Sequence, residues 1–176
     1  MTSLFAFVDE SSPRSFATFV VSLVIVSTEN LDALTNLCLT TELATGKTPK
    51  WGTNKPPVRD AYCMAIMPSG LATFGYKIFE GHKPKEFTLA TLALATQRFA
   101  ITRIFVDGLA KRDCSGYAVH IRKQTGYTPR VVGVRKDENN PIIRLADSFC
   151  GLVMDTQGVD HPFLANLHAK GIATVL

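Results

Sequence analysis

Apolar residues come in short runs separated by polar, glycine- or proline-bearing breaks, and the spacing within the runs changes along the chain. Ser3 to Val8 (SLFAFV) and Phe16 to Val26 (FATFVVSLVIV) are nearly continuous apolar runs and read as two strands. The turn Asp9-Glu10-Ser11-Ser12-Pro13 between them predicts an antiparallel hairpin. Both runs are apolar on both faces, which predicts cover on both sides of a sheet. From Thr28-Glu29-Asn30 the spacing becomes helical: Leu31, Leu34, Leu37 and Leu39 carry a helix to about Leu43, and Gly46 ends it. Thr48 to Pro57 is a loop by its Pro, Gly and Asn content. Val58 to Met67 reads as a short helix halted by Pro68-Ser69-Gly70, and Leu71 to Phe79 as a strand. An amphipathic helix follows over Pro84 to Ala100, then a strand over Ile101 to Val106 that ends in Asp107-Gly108. A helix beginning at Asp113 or Ser115 runs to about Thr125 before Gly126, and Pro129 to Arg135 is the last predicted strand.

The most strongly patterned stretch comes next. Asn140 suits a helix cap and Pro141 the first helical position. Ile142, Ile143, Leu145, Ala146, Phe149, Leu152 and Val153 then cover a wide apolar face, predicting a deeply packed helix. Asp147 sits among them, and a buried acid is costly unless paired or bound to a metal. A shorter helix is expected over Pro162 to Lys170. Early antiparallel strands followed by strand–helix alternation predict one α/β domain over residues 1–176, with a mixed five-stranded sheet and helices on both faces.

Composition narrows this picture. The chain has 176 residues, 46% hydrophobic and 19% charged, enough for one domain with a real core. It is slightly apolar for a soluble monomer, which leaves room for a homodimer or a partner protein. The apolar run from Phe16 spans 11 residues, too short to cross a membrane, and no basic n-region of a signal peptide precedes it. Cys38, Cys63, Cys114 and Cys150 are far apart in sequence and show no zinc spacing, as expected of reduced thiols in a cytoplasmic protein.

The net charge of +4 is unevenly spread. Residues 1–46 hold five acids and one base, residues 47–144 seventeen bases and seven acids, and residues 145–176 three acids and one base. A basic middle between acidic ends suits either a nucleic-acid surface beside an acidic site or ordinary solvated charge.

The acids supply the candidate chemistry. Asp9 and Asp107 each follow an apolar strand, and Asp147 lies in the first two turns of the last long helix. If the first and fourth strands are adjacent and parallel, Asp9 and Asp107 stand side by side, and a helix packed across them can bring in Asp147. Clustered carboxylates repel and call for a cation; oxygen-only ligands suit Mg²⁺ or Mn²⁺. Two such ions, about 3.5–4 Å apart, support phosphodiester cleavage. Each acid alone also has a plain reading: Asp107 before Gly108 as a turn residue, Asp9 as an Asx turn or cap. Lys111-Arg112 is a candidate phosphate grip, and Trp51 beside Lys50 is either a base-stacking platform or partly buried core.

These residues resemble a large, mostly bacterial family, domain of unknown function 3800. Its opening Asp-Glu-Ser-Gly motif is matched by Asp9-Glu10-Ser11-Ser12. Its closing Pro-Leu-Leu-Gln-Leu-Ala-Asp motif is matched by Pro141-Ile142-Ile143-Arg144-Leu145-Ala146-Asp147. Ile104-Phe105-Val106-Asp107 matches a strand ending in an acid, and Lys50-Trp51 a Lys-Trp pair after the first helix. The resemblance spans roughly residues 4 to 155. It implies a ribonuclease-H-like fold in which Asp9, Asp107 and Asp147 hold two divalent ions, and a metal-dependent nuclease or related phosphoryl-transfer enzyme acting on DNA or RNA. The alternative is an inactive ribonuclease-H-like subunit for nucleic-acid binding or assembly. Two residues depart from the pattern. Ser12 replaces a glycine. Arg144 replaces a glutamine, one turn before Asp147, where it can neutralise that acid, displace a metal or contact a phosphate. A fourth carboxylate is expected from Glu10, Glu86 or, more distantly, Glu42.

Overall fold

A computed structural model of the chain describes residues 2–11, 17–46, 52, 55–135, 140–156 and 161–176. The first strand, β1 (Leu4–Ser11), runs antiparallel to β2 (Thr18–Ser27), with Phe7 opposite Val24 and Asp9 opposite Ser22. β2 pairs antiparallel with β3 (Ala72–Glu80). On its other side β1 pairs parallel with β4 (Arg103–Asp107), which pairs parallel with β5 (Arg130–Val134). A sixth strand, β6 (Ala173–Val175), lies parallel to β3, giving the order β5-β4-β1-β2-β3-β6. The mixed sheet expected from the sequence is therefore present, with six strands and not five. Three residues are too short a run to carry a periodic signal.

The helices fill the breaks in the strand pattern: α1 (Leu31–Thr45), α2 (Pro56–Ile66), α3 (Pro84–Phe99), α4 (Cys114–Thr125), α5 (Pro141–Thr156) and α6 (Pro162–Ala169). Prolines open α2, α3 and α6, where the missing N–H has no partner to lose. Strand alternation sorts the core into two layers. Phe7, Val20, Val24 and Phe74 face α1, α2, α5 and α6, while Ala6, Val8, Val21, Leu23 and Ile104 face α3 and α4. β2 is buried from Phe19 to Val26, as its unbroken apolar run requires. Among the described residues no helix is long and apolar enough to cross a membrane.

α5 is the best packed helix, with eleven buried residues. Asn140 caps it as expected: its Oδ1 accepts the backbone N–H of Ile142 at 3.0 Å and of Ile143 at 3.1 Å. The helix lies across β1 and β2. Two bonds to β2 anchor it: the buried Ser22 hydroxyl donates to the Ala146 carbonyl at 3.0 Å, and the Cys150 thiol donates to the Val20 carbonyl at 3.6 Å.

Candidate carboxylate site

The parallel pairing of β1 and β4 sets Val8 beside Val106, so the next residues, Asp9 and Asp107, stand at the same end of this strand pair. They also share a face. Phe7 and Phe105, each two residues earlier, stack at 4.7 Å on the side covered by α5. Asp147 enters from above, one residue after the carbonyl that Ser22 holds, and Ser22 is itself the cross-strand partner of Asp9. The three aspartates thus converge on one end of the central strand through register and one buried hydroxyl.

Their electrostatics show the same convergence. Asp9 is only 9% exposed. Its pKa is raised well above the usual carboxylate value, first by burial, then by the charge of Asp147, with smaller pushes from Asp107 and Glu10. A backbone hydrogen bond with Glu10 works in the opposite direction. A carboxyl group in this setting favours its proton over sharing a dry site with two other anions.

The other candidate acids are elsewhere. β1 continues to Ser11, so Asp9 and Glu10 lie within the strand and not past its end, and strict alternation sends Glu10 to the opposite face. There Glu10 accepts a hydrogen bond from the Thr88 hydroxyl of α3 at 2.6 Å. Glu86 is an exposed partner of Lys83 at 3.4 Å. Glu42 belongs to Arg144: the guanidinium donates two bonds to its carboxylate, at 2.9 Å and 2.7 Å, between α5 and α1. These side chains are 15% and 10% exposed. This corrects the expected roles of Arg144: its fork is committed to Glu42, neither turned onto Asp147 nor offered to a phosphate. Three residues separate it from Asp147 on the helix, but the fork points to the neighbouring helix.

Among the basic candidates, Lys111 and Arg112 are exposed on a short 3-10 turn (Lys111–Asp113) just beyond the loop that follows Asp107. They stand at the same end of the sheet as the aspartates. Lys50 and Trp51 lie outside the described residues.

Two positioning residues were missed in the sequence. Ser22 carried a signal, as the one polar residue in the buried run from Phe19 to Val26. Gly133 carried none. A Cβ added there would meet the Leu109 carbonyl oxygen at 1.9 Å, so only glycine lets the loop after Asp107 lie against β5. That loop is closed by a bond from the Gly108 N–H to the Val134 carbonyl at 2.8 Å, with Gly108 at φ 66°.

The donor set suits a hard divalent cation in its chemistry: three carboxylates, one of them buried and burdened by the charge of the other two. As they stand, no three His, Cys, Asp or Glu side chains among the described residues are grouped to hold a metal ion.

No protein-family model matches the chain, and no curated protein matches its sequence. Solved structures do match. Ribonuclease H2 from Pyrococcus horikoshii OT3 superposes with a TM-score of 0.64 at 17% identity, covering 96% of this chain and 77% of that one. Ribonuclease HII from Archaeoglobus fulgidus, solved in complex with PCNA, gives a TM-score of 0.62 at 16% identity, covering 95% and 77%. At such identities the likeness concerns the backbone path: the chain has a ribonuclease-H-like fold.

Proposed function

We propose that the chain is a divalent-metal-dependent nuclease or a related phosphoryl-transfer enzyme acting on nucleic acid, with Asp9, Asp107 and Asp147 as its Mg²⁺ or Mn²⁺ ligands. The observation that supports this reading is geometric: Val8 pairs with Val106, and Ser22, opposite Asp9, holds the Ala146 carbonyl, so Asp9, Asp107 and Asp147 come towards one sheet end in a ribonuclease-H-like fold. Burial first, and then the charge of Asp147, raise the pKa of Asp9 in keeping with it. The two similar solved structures carry the name ribonuclease, which supports a nucleic-acid substrate. The motifs that resemble those of domain of unknown function 3800 include the same three acids.

Each residue then has a task. Asp9 would give up its proton to solvent where a cation offset the repulsion of its neighbours. Asp107, at the end of β4, and Asp147, on α5, offer oxygens from the two flanking elements. A divalent ion held by these carboxylates would supply activation of the attacking water and charge stabilisation at the departing oxygen. Lys111 and Arg112 hold the phosphate backbone as it crosses this end of the sheet. Arg144 and Glu42 fix α5 without touching substrate.

A specific observation favours a second reading. The three expected sources of a fourth carboxylate are engaged elsewhere: Glu10 with Thr88, Glu86 with Lys83, and Glu42 with Arg144. A ribonuclease-H-like subunit that binds nucleic acid, or serves assembly, without cleaving it has no need of that acid. Cleavage of labelled RNA, single-stranded DNA and duplex DNA in Mn²⁺ decides between them. Under the enzymatic reading, wild type cleaves at least one substrate and Asp107→Asn loses at least about a hundredfold in rate, the scale of a deleted charge-stabilising group. Equal rates for the two proteins, or no cleavage of any substrate, favour the second reading.

A further inference from the structure

The sheet ends at β5 on one side, and no described strand pairs with its outer edge. Alongside lies a groove of about 950 Å³, bounded by β5, the loop from Gly108 to Lys111 and the first half of α4. Leu109, Ala118 and Val132 line it with apolar surface. Among the described residues the charged ones that line it are basic: Lys111, at the end nearest Asp107, and Arg130 and Arg135 on either side of the strand's centre. The two arginines are exposed.

The backbone of β5 is half used. The Arg130 N–H donates to Thr102 and the Val134 carbonyl accepts from Gly108, so these residues turn their peptide groups towards β4 and the loop after it. Alternation in a parallel strand turns the groups of Val131 and Gly133 the other way, as donors and acceptors in sequence. We propose that this edge takes up an extended acidic peptide of a partner protein as an added strand.

Three features favour a peptide over a nucleic-acid strand. A peptide offers both N–H and C=O groups to the open edge, whereas a phosphate backbone only accepts and leaves the outward carbonyls unmatched. Among the described residues no aromatic side chain lines the groove, which gives unpaired bases no platform to stack on there. The valine-bearing strand has an arginine at each end, Arg130 and Arg135, which suits a strand with apolar residues along its length and carboxylates near both of its ends. The five residues of β5 span about 16 Å, which sets the length of the added strand at about five residues. The site does not depend on the carboxylate cluster or on a cation.

The test is fluorescence anisotropy in EDTA at low salt, with a dye-labelled, end-capped octapeptide of alternating glutamate and valine. Saturable binding is expected. It should weaken at least tenfold for the double variant Arg130→Glu with Arg135→Glu. It should disappear when alternate peptide nitrogens of the probe are methylated, which removes edge donors and keeps charge. Equal binding of the methylated probe would overturn strand addition. So would an unlabelled oligothymidylate of the same charge that competes more strongly than the unlabelled peptide, or a lack of saturable binding. Cleavage and Mn²⁺ binding by the double variant report separately on the proposed nuclease site.

Discussion

Asp9 is held where its charge is least welcome. Its folded pKa lies above the unfolded value, so the native state binds the proton more tightly than the unfolded chain does. Stability contributed by that proton is present at low pH and is lost as pH rises through the folded pKa. Near neutral pH the unfolded chain carries Asp9 ionised, so folding must either protonate it or bury its charge beside its neighbours; Asp9 therefore opposes folding there, and Asp9→Asn should relieve it. Scanning fluorimetry at pH 7 without divalent ions should show a higher Tm for the variant, by about 2–4 °C for each kcal/mol relieved. Mn²⁺ should raise the Tm of wild type and leave the variant unchanged. A variant less stable than wild type in EDTA would show that the carboxylate stabilises the fold. Gly133 acts on the same site by shape. Gly133→Ala forces the Leu109 carbonyl away from β5 and with it the loop that follows Asp107. Overpacking of this kind costs about 1–3 kcal/mol. Urea unfolding should show that loss, and Mn²⁺ affinity should fall with it, whereas Gly116→Ala, where an added Cβ meets nothing within 4 Å, should leave Mn²⁺ affinity as in wild type.

At the scale of elements, the bond between α1 and α5 is the one to break. Arg144 and Glu42 form a two-pronged pair with little solvent around it. Removing one partner strands the other charge, at about 3–5 kcal/mol for a buried pair. Arg144→Ala should lower the urea midpoint accordingly, and Arg144→Met combined with Glu42→Leu should recover much of the loss. A double variant as unstable as the single one would mean that packing, not charge, carries the contact. The pair also marks how far local sequence reasoning reaches. Strand and helix order was legible because each run is long and regular, and the Asn140 cap was legible because it acts on its own helix. The partner of Arg144 was not, because it lies on another helix 102 residues away. The same holds for Ser22 and Ala146, whose pairing depends on which strand α5 crosses. Within the site, the three aspartates could be read from strand ends and one awkward polar position. Their spacing and the loss of Glu10 to the other face depended on where β1 stops.

Across the whole molecule, three of the four cysteines are buried: Cys38, Cys63 and Cys150. Burial pushes the thiols of Cys38 and Cys63 from the usual 9.0 up to about 12. It raises Cys150 and the Tyr62 phenol as well. The folded protein keeps protons that the unfolded chain releases, so stability is intact below about pH 9 and falls as pH climbs towards 12. A urea midpoint that drops between pH 8 and pH 10.5, with Cys114 alone reacting rapidly with a thiol reagent at pH 8, is the expected result. The order of strands has a further consequence, in time. β1 meets β2 through a short connection but meets β4 only after the chain has closed a loop of nearly a hundred residues, and α5 arrives later still in sequence. The repulsion among the aspartates is thus absent until these long-range contacts close, and it is expected to weigh on the finished fold more than on a transition state that lacks them. A divalent ion bound there would prolong the life of the native state and leave its rate of formation nearly untouched.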